Sequence, residues 1–318
     1  MPVTPRALVR GASSQVLPRR GRKDDHGKSP SIAAMNAIPT SPAFRVPADV
    51  DGWVRYFRLV EIPVFASTAR AIEDLRLIED DVDARMLCDV LARDPLMVLK
   101  LLAYASTQGS SRRLTDAETV TEALVLMGIT PFFREFGPQP TIEDHLDGQP
   151  EALAGLQEVL RRADRAARFS ALFAIHRNDH DAAVLQEAAM LHDFAEMLLW
   201  LHAPALALEI QRRQAADPTL RSAAIQKELL HAELNDVQHA LMLVWRLPEI
   251  LVRITDDRQA ENTQVRNVLL AIRIARHTMH GWDNAAIPDD LRDIAALLRL
   301  HVEPTRQLLL EVDEDDAG

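Results

Sequence analysis

Glycine, cysteine, aromatic side chains and long apolar runs are all scarce in this sequence of 318 residues. It contains 11 glycines, and aromatic residues make up 5% of the chain. Hydrophobic residues account for 47% and charged residues for 26%, proportions that exclude wholesale disorder. The abundant Ala, Leu, Glu and Arg are strong helix formers. The sequence therefore predicts an all-α protein.

The single cysteine and the missing apolar runs exclude further classes of protein. Cys88 alone cannot form an intramolecular disulfide or a cysteine-rich metal site, and we expect it to be a small apolar core residue in a reducing compartment. The most apolar stretch, 188–208, is interrupted by four polar side chains and does not provide the ~20 apolar residues of a membrane span. No secretory signal is evident at the start of the sequence. These features predict a cytoplasmic protein without a membrane partner.

The charge is unevenly distributed along the chain. The formal net charge is −11, which argues against general binding to nucleic acid or to anionic membranes. Residues 1–28 carry seven Lys or Arg against two Asp, a local charge of +5, so the other 290 residues carry −16. Any cationic site on the rest of the chain must therefore be local.

Composition also suggests how the chain is organised. Residues 1–45, rich in Pro, Ser and basic side chains, are predicted to be a disordered tail. A cluster of Gly and Pro predicts a linker at 138–149, between a front helical bundle at 46–137 and a back bundle at 150–280. Residues 281–318 are expected to add C-terminal helices up to about residue 312, followed by a solvated acidic tail.

Capping patterns predict individual helix boundaries. Asp94 before Pro95 is typical of an N-cap followed by proline in the first turn. Three further boundaries follow from similar patterns: a capping box at Thr115–Glu118, a single buried helix from Asp181 to Leu201, and a helix capped by Asn235-Asp236 that ends near Trp245.

Five segments, in this order, resemble the motifs of one family. They are Glu61-Ile62-Pro63-Val64-Phe65, Leu91-Ala92-Arg93-Asp94-Pro95-Leu96, Thr121 to Ile129, Met190-Leu191-His192-Asp193-Phe194-Ala195-Glu196, and Trp245-Arg246-Leu247-Pro248-Glu249. Together they resemble the HDOD domain, a helical module of bacterial signalling proteins that is related to the HD superfamily. The resemblance covers about residues 55–255 and implies that the back bundle is HD-like.

The resemblance also implies a degenerate metal motif. Active HD phosphohydrolases hold one or two metal ions with a histidine, an adjacent His-Asp pair and a later aspartate, ligands that suit a water-activating divalent ion. This chain retains the pair as His192 and Asp193, but the first histidine, expected near Arg165, is missing. Other family positions are also replaced, by Ala195, Glu196, Leu234, Gln238 and Asp256-Asp257. His192 and Asp193 are therefore vestigial candidates for metal ligands, and we expect no catalytic residue and no cofactor.

Because His192 and Glu196 are four residues apart, we expect them to form a hydrogen bond on one helix face. The polar cluster His176–Asp181 is expected to be a turn rather than a metal site. A shared site for His231 and His239 is not expected, because a helix break is predicted between them. Trp245 is expected to be a core anchor.

Two basic stripes are predicted on helix faces. They consist of Arg161, Arg165 and Arg168, and of Arg266, Arg273 and His277. The side chains either form ion pairs within the protein or face a partner, and internal pairing or solvation is the simpler expectation.

The sequence leads to one functional hypothesis and leaves two alternatives open. The leading hypothesis is a non-catalytic scaffold of bacterial signal transduction that acts through protein partners. One alternative is a metal-dependent phosphohydrolase with a remodelled site at His192 and Asp193. The other is a sensor of a small molecule, such as a nucleotide, with a pocket between the two bundles.

Overall fold

Helices form the fold throughout the part of the chain that the structure describes, which is residues 44–108, 117–217, 219–256, 259 and 261–314. The structure is a computed structural model. The predicted all-α class is confirmed. The expected disordered tail at 1–45 lies almost entirely outside the described residues.

Seven helices and one short 3₁₀ turn precede the long central helix. The helices are α1 (Val50–Phe57), α2 (Ala66–Arg76), α3 (Ala84–Leu91), α4 (Pro95–Gln108), α5 (Val120–Met127), α6 (Ile129–Glu135) and α7 (Ile142–His145). The 3₁₀ turn is Glu79–Asp81. Within the described ranges the β interactions amount to one isolated parallel bridge, between Val64 and Thr141.

The remaining helices form the back of the molecule and its C-terminal extension. They are α8 (Pro150–His176), α9 (Ala182–Leu191), α10 (Phe194–His202), α11 (Pro204–Ala216), α12 (Ser222–Leu230), α13 (Leu234–Val244), α14 (Glu249–Ile254), α15 (Thr263–His277), α16 (Ile287–Leu298) and α17 (Val302–Glu314). The last two helices lie within 281–318, the part of the chain where C-terminal helices were expected.

The central helix α8 organises the back of the molecule. Pro150 occupies its first turn, where the missing amide proton costs no helical hydrogen bond. Helices α4, α9, α10, α11, α15 and α17 all pack against it. At Gly155 the ring of Trp200 lies so close that an added Cβ would overlap it. This glycine permits the close approach of α10.

Asp94 confirms the predicted N-cap and also joins two segments distant in sequence. Its Oδ1 accepts hydrogen bonds from the amides of Leu96 and Met97, both at 3.1 Å. Its Oδ2 accepts from the amide of Phe65 at 2.8 Å, so the start of α2 is held against the start of α4. The carboxyl is fully buried, and burial raises its pKa despite these hydrogen bonds.

The front and back of the chain are in direct contact through α1. This helix packs against α13. The indole Nε1 of Trp53 donates to the carbonyl of Leu230 at 2.8 Å, and the hydroxyl of Tyr56 donates to the carbonyl of His202 at 3.0 Å. Val46–Gly318 forms one compact unit. The division into two bundles with a linker at 138–149 stays an interpretation within that unit.

Two of the predicted helix starts were wrong. The helix expected after Thr115–Glu118 begins at Val120, because Thr119 caps it and accepts a hydrogen bond from the amide of Glu122 at 3.2 Å. Thr115 and Asp116 themselves lie outside the described residues. Asn235-Asp236 lies in the first turn of α13 rather than ahead of it, although the helix ends at Val244, near Trp245 as predicted.

Three side chains are placed differently from the expectation. Cys88 is only partly buried, with its Sγ 3.1 Å from Thr121 Oγ1, because α3 turns it towards the edge of the core. Trp245 also lies at the edge, partly exposed, with its ring 5.8 Å from that of Phe194. Asp313, expected in a solvated tail, forms an ion pair with Arg165 at 2.9 Å.

None of the helices in the described part of the chain combines the length and the apolar composition that a membrane span requires.

Candidate functional site

The His192–Asp193 pair lies at a break between two helices. The sequence predicted one helix from Asp181 to Leu201, and this prediction was wrong, because α9 ends at Leu191 and α10 begins at Phe194. Gln238 stabilises the break from α13. Its Nε2 donates to the carbonyl of His192, and its Oε1 accepts from the amide of Ala195 at 3.3 Å. A side chain therefore satisfies backbone groups that a continuous helix would pair internally.

Within the pair the two side chains bind each other. His192 Nδ1 lies 3.0 Å from Asp193 Oδ1, and only 7% and 15% of the respective side chains are exposed. His192 and Glu196 do not share a helix face, because the helix is interrupted between them. The expected pairing on one helix face was therefore wrong. Glu196 instead accepts a hydrogen bond from an arginine of α8.

That arginine is Arg162, which no motif in the sequence indicates as a partner of the His-Asp pair. Its Nη2 donates to Asp193 Oδ2 at 2.8 Å and to Glu196 Oε2 at 2.6 Å, and its Nε lies 3.2 Å from Asp193 Oδ2. The missing histidine was expected near Arg165, but Arg165 faces Asp313 and the end of α15. Arg162, one turn earlier, is the residue of α8 that meets the His-Asp pair.

The charges at this cluster determine the protonation of Asp193. Burial of its carboxyl favours the neutral form, but the charge of Arg162 and the hydrogen bond from His192 outweigh burial and hold the pKa of Asp193 well below its ordinary value. Burial likewise opposes the charge on Arg162, but Glu196 and Asp193 raise its pKa. The cluster is therefore an ion pair in which Asp193 stays ionised.

The residues at the break do not fit a metal ion. Both oxygens of Asp193 are engaged, Oδ1 by His192 and Oδ2 by Arg162, and a second guanidinium, that of Arg276, lies 3.8 Å from Oδ2. A divalent cation would be repelled by these two fixed positive charges. Among the described residues no group of three or more His, Cys, Asp or Glu side chains is arranged to hold a metal.

A cavity of about 510 Å³ opens beside the cluster, and four of the replaced positions line it, Ala195, Glu196, Leu234 and Gln238. The guanidinium groups of Arg162, Arg273 and Arg276 line it as well. Of the Asp256-Asp257 pair, Asp256 accepts a hydrogen bond from Gln259 at 3.1 Å, and Asp257 lies outside the described residues. No arrangement of nucleophile and base emerges at this cavity from the described side chains.

The remaining histidine candidates have structural explanations. His176 ends α8, and the turn that follows contains Asn178 in the left-handed region with φ of 52°, which confirms the predicted turn. His231 follows α12 and precedes α13, so the predicted break between it and His239 is present.

The basic stripes are paired largely within the protein. Arg168 lies 3.1 Å from Asp164, and Arg273 lies 2.6 Å from Asp290, which also binds His277. Arg161 and Arg266 are exposed. Internal pairing therefore accounts for most, but not all, of these cations.

Comparison with known proteins identifies the fold. A structure of the MmoQ response regulator from Methylococcus capsulatus str. Bath is 18% identical, covers 79% of this chain and 98% of its own, and superposes with a TM-score of 0.59. A virulence factor from Campylobacter jejuni subsp. jejuni is 16% identical, covers 84% and 99%, and has a TM-score of 0.57. These likenesses show a shared fold.

The search of curated proteins found no significant match. The family model of the HDOD domain matches residues 62–260, nearly the span on which the five sequence segments lie. This chain belongs to the HDOD domain family.

Proposed function

We propose that this chain is a non-catalytic regulatory scaffold of a bacterial signalling pathway, which acts in the cytoplasm through contacts with protein partners. Membership of the HDOD family and the likeness to a protein described as a response regulator support a signalling-related role. The observation that most strongly supports a non-catalytic role is the ion pair of Arg162 with Asp193 and Glu196. It places a guanidinium beside the carboxylate that HD chemistry would use as a metal ligand.

The competing function is a metal-dependent phosphohydrolase, since His192 and Asp193 are retained. Metal affinity falls by about 10–100-fold when one supporting partner of a metal ligand is lost. Here a first ligand is missing and a cation occupies the space, so we expect neither metal binding nor hydrolysis.

Elemental analysis of the untagged full chain tests the two functions against each other. The protein is expressed with Mn and Fe supplied. It carries no polyhistidine tag, because such a tag would bring its own metal. We expect only traces of metal, no hydrolysis of nucleotides, and the same result for His192→Gln. Near-stoichiometric metal that is lost in His192→Gln would overturn the proposal and favour the phosphohydrolase.

The scaffold role needs a second measurement in the native cell. Complementation of a deletion strain with His192→Gln should restore the wild-type phenotype as fully as complementation with the wild-type chain, provided that both proteins are equally abundant. A partner captured by crosslinking should then bind both purified proteins with the same affinity in calorimetry. Complementation that fails with a folded, abundant His192→Gln protein would indicate that the imidazole has a chemical role.

A further inference from the structure

A second cavity, separate from the His192 cluster, lies where the front and back of the chain meet. It encloses about 730 Å³ and is bounded by the start of α4, by α8, by the α15–α16 connection and by the end of α17. None of the residues that line it also lines the cavity beside His192. Its volume is within the range of ordinary small-molecule sites, about 300–1,000 Å³.

One wall of this cavity already holds an anionic group of the protein. Arg165 Nε and Nη2 donate to the two carboxylate oxygens of Asp313, each at 2.9 Å, and Trp282 Nε1 donates to Asp313 Oδ2 at 3.0 Å. Arg165 Nη2 also donates to Thr278 Oγ1 at 2.8 Å. This paired carboxylate contributes no net charge to the cavity, but it shows that the wall suits an anion.

Two further arginines line the cavity. Arg93, in the turn before α4, and Arg161, on α8, are exposed and form no ion pair with any described residue. The other acidic residue of the lining, Asp164, binds Arg168 at 3.1 Å. The described residues that line the cavity include three arginines and two aspartates, an excess of one positive charge, in a chain that carries −16 outside its first 28 residues. A local cationic site of this kind attracts anions.

Aromatic side chains complete the lining. Phe65, at the start of α2, and Trp282, in the α15–α16 connection, are both partly buried and both face the cavity. Flat rings stack on such side chains, and Arg guanidinium groups recognise phosphate with paired hydrogen bonds. A ligand that satisfies both features has a planar ring and a phosphate group.

We propose that this cavity binds a ribonucleoside monophosphate, with Arg93 and Arg161 on the phosphate and Phe65 or Trp282 against the base. Because Phe65 and Arg93 come from the front of the chain while Arg161 and Trp282 come from the back, the ligand bridges the two. The proposal does not depend on the scaffold role.

Calorimetric titration of the full chain tests the site directly. The probes are AMP, GMP, CMP and UMP, with adenosine and inorganic phosphate as partial ligands. We expect at least one nucleotide to bind more tightly than either partial ligand. Arg93→Gln and Arg161→Gln should each weaken that binding by about tenfold, the equivalent of one lost charged hydrogen bond.

Two variants separate the site from a general charge effect. Arg266→Gln removes the same charge from an exposed position on α15 outside the cavity and should leave the affinity unchanged. Asp313→Asn removes the carboxylate that neutralises Arg165, adds one positive charge to the cavity and should strengthen binding. Absence of binding by all four nucleotides would overturn the proposal, as would equal loss in Arg266→Gln or phosphate binding as tight as nucleotide binding.

Discussion

Arg162 Nη2 lies 2.8 Å from Asp193 Oδ2, across 31 residues of sequence, and joins the central helix α8 to the break that carries the His-Asp pair. The same nitrogen binds Glu196, so one cation serves two carboxylates. In this cluster the arginine supplies the positive charge that a metal ion would supply in an HD enzyme. The arrangement stabilises the break without providing an open coordination site.

The first prediction is that Arg162→Ala destabilises the fold by about 3 kcal/mol, because two mostly buried carboxylates lose their cation. Urea unfolding at pH 7 measures the change. Arg212→Ala is the matched control, since its ion pair with Glu151 is exposed and contributes at most about 1 kcal/mol. Asp193→Asn in the Arg162→Ala background should recover part of the loss. Equal costs for the two alanine variants would contradict the prediction.

A second prediction concerns Asp94, which caps α4 and binds the amide of Phe65. Asp94→Ala should cost about 3 kcal/mol, because it removes both an N-cap and a buried hydrogen bond between distant segments. The control is Asp83→Ala, an exposed N-cap of α3 that accepts only from Met86 and should cost about 1 kcal/mol. Denaturation midpoints compare the two. If Asp94→Ala costs no more than its control, the bond to Phe65 contributes nothing.

Glu187 on α9 gives a prediction about pH. Burial raises the pKa of its carboxyl from 4.5 to about 8, although the amide of Val120 donates to it at 3.0 Å. A group with a raised folded pKa contributes stability below pH 4.5 that is lost as the pH rises towards 8, because the unfolded chain releases its proton first. Glu187→Gln should therefore exceed the wild-type stability at pH 8 by more than about 1 kcal/mol, and by much less at pH 5.

Urea unfolding of both proteins at pH 5, 6, 7 and 8 tests this dependence. Glu303→Gln, at an exposed position on α17, is the control and should run parallel to the wild type. A constant difference between Glu187→Gln and the wild type at all four pH values would show that Glu187 does not titrate as described.

Gly155 provides a prediction in which two effects have opposite signs. Helix propensity alone would make Gly155→Ala stabilising by about 1 kcal/mol. The added Cβ would overlap the ring of Trp200, however, and overpacking costs about 1–3 kcal/mol. We expect a net loss in the melting temperature, and Trp200→Phe should reduce the further loss caused by Gly155→Ala. A variant more stable than the wild type would indicate that Trp200 moves aside without cost.

The sequence by itself determined the features that depend on neighbouring residues. The helix formers and the scarcity of glycine predicted the all-α class, and Asp94-Pro95 predicted the start of α4. Five ordered segments identified the HDOD family over about 55–255, against the matched 62–260. Helix caps and amphipathic turns are local signals, because each involves residues within about four positions of one another.

Tertiary structure alone decided which distant side chains meet. Arg162 rather than the region of Arg165 faces Asp193, since the register of α8 against the His192 break is set by packing, including the close approach of Trp200 to Gly155. The break itself depends on Gln238, 46 residues beyond His192. Asp313 was expected in a solvated tail, but the packing of α17 brings it to Arg165. Contacts of this range have no periodic signature in sequence, because they depend on how whole helices dock.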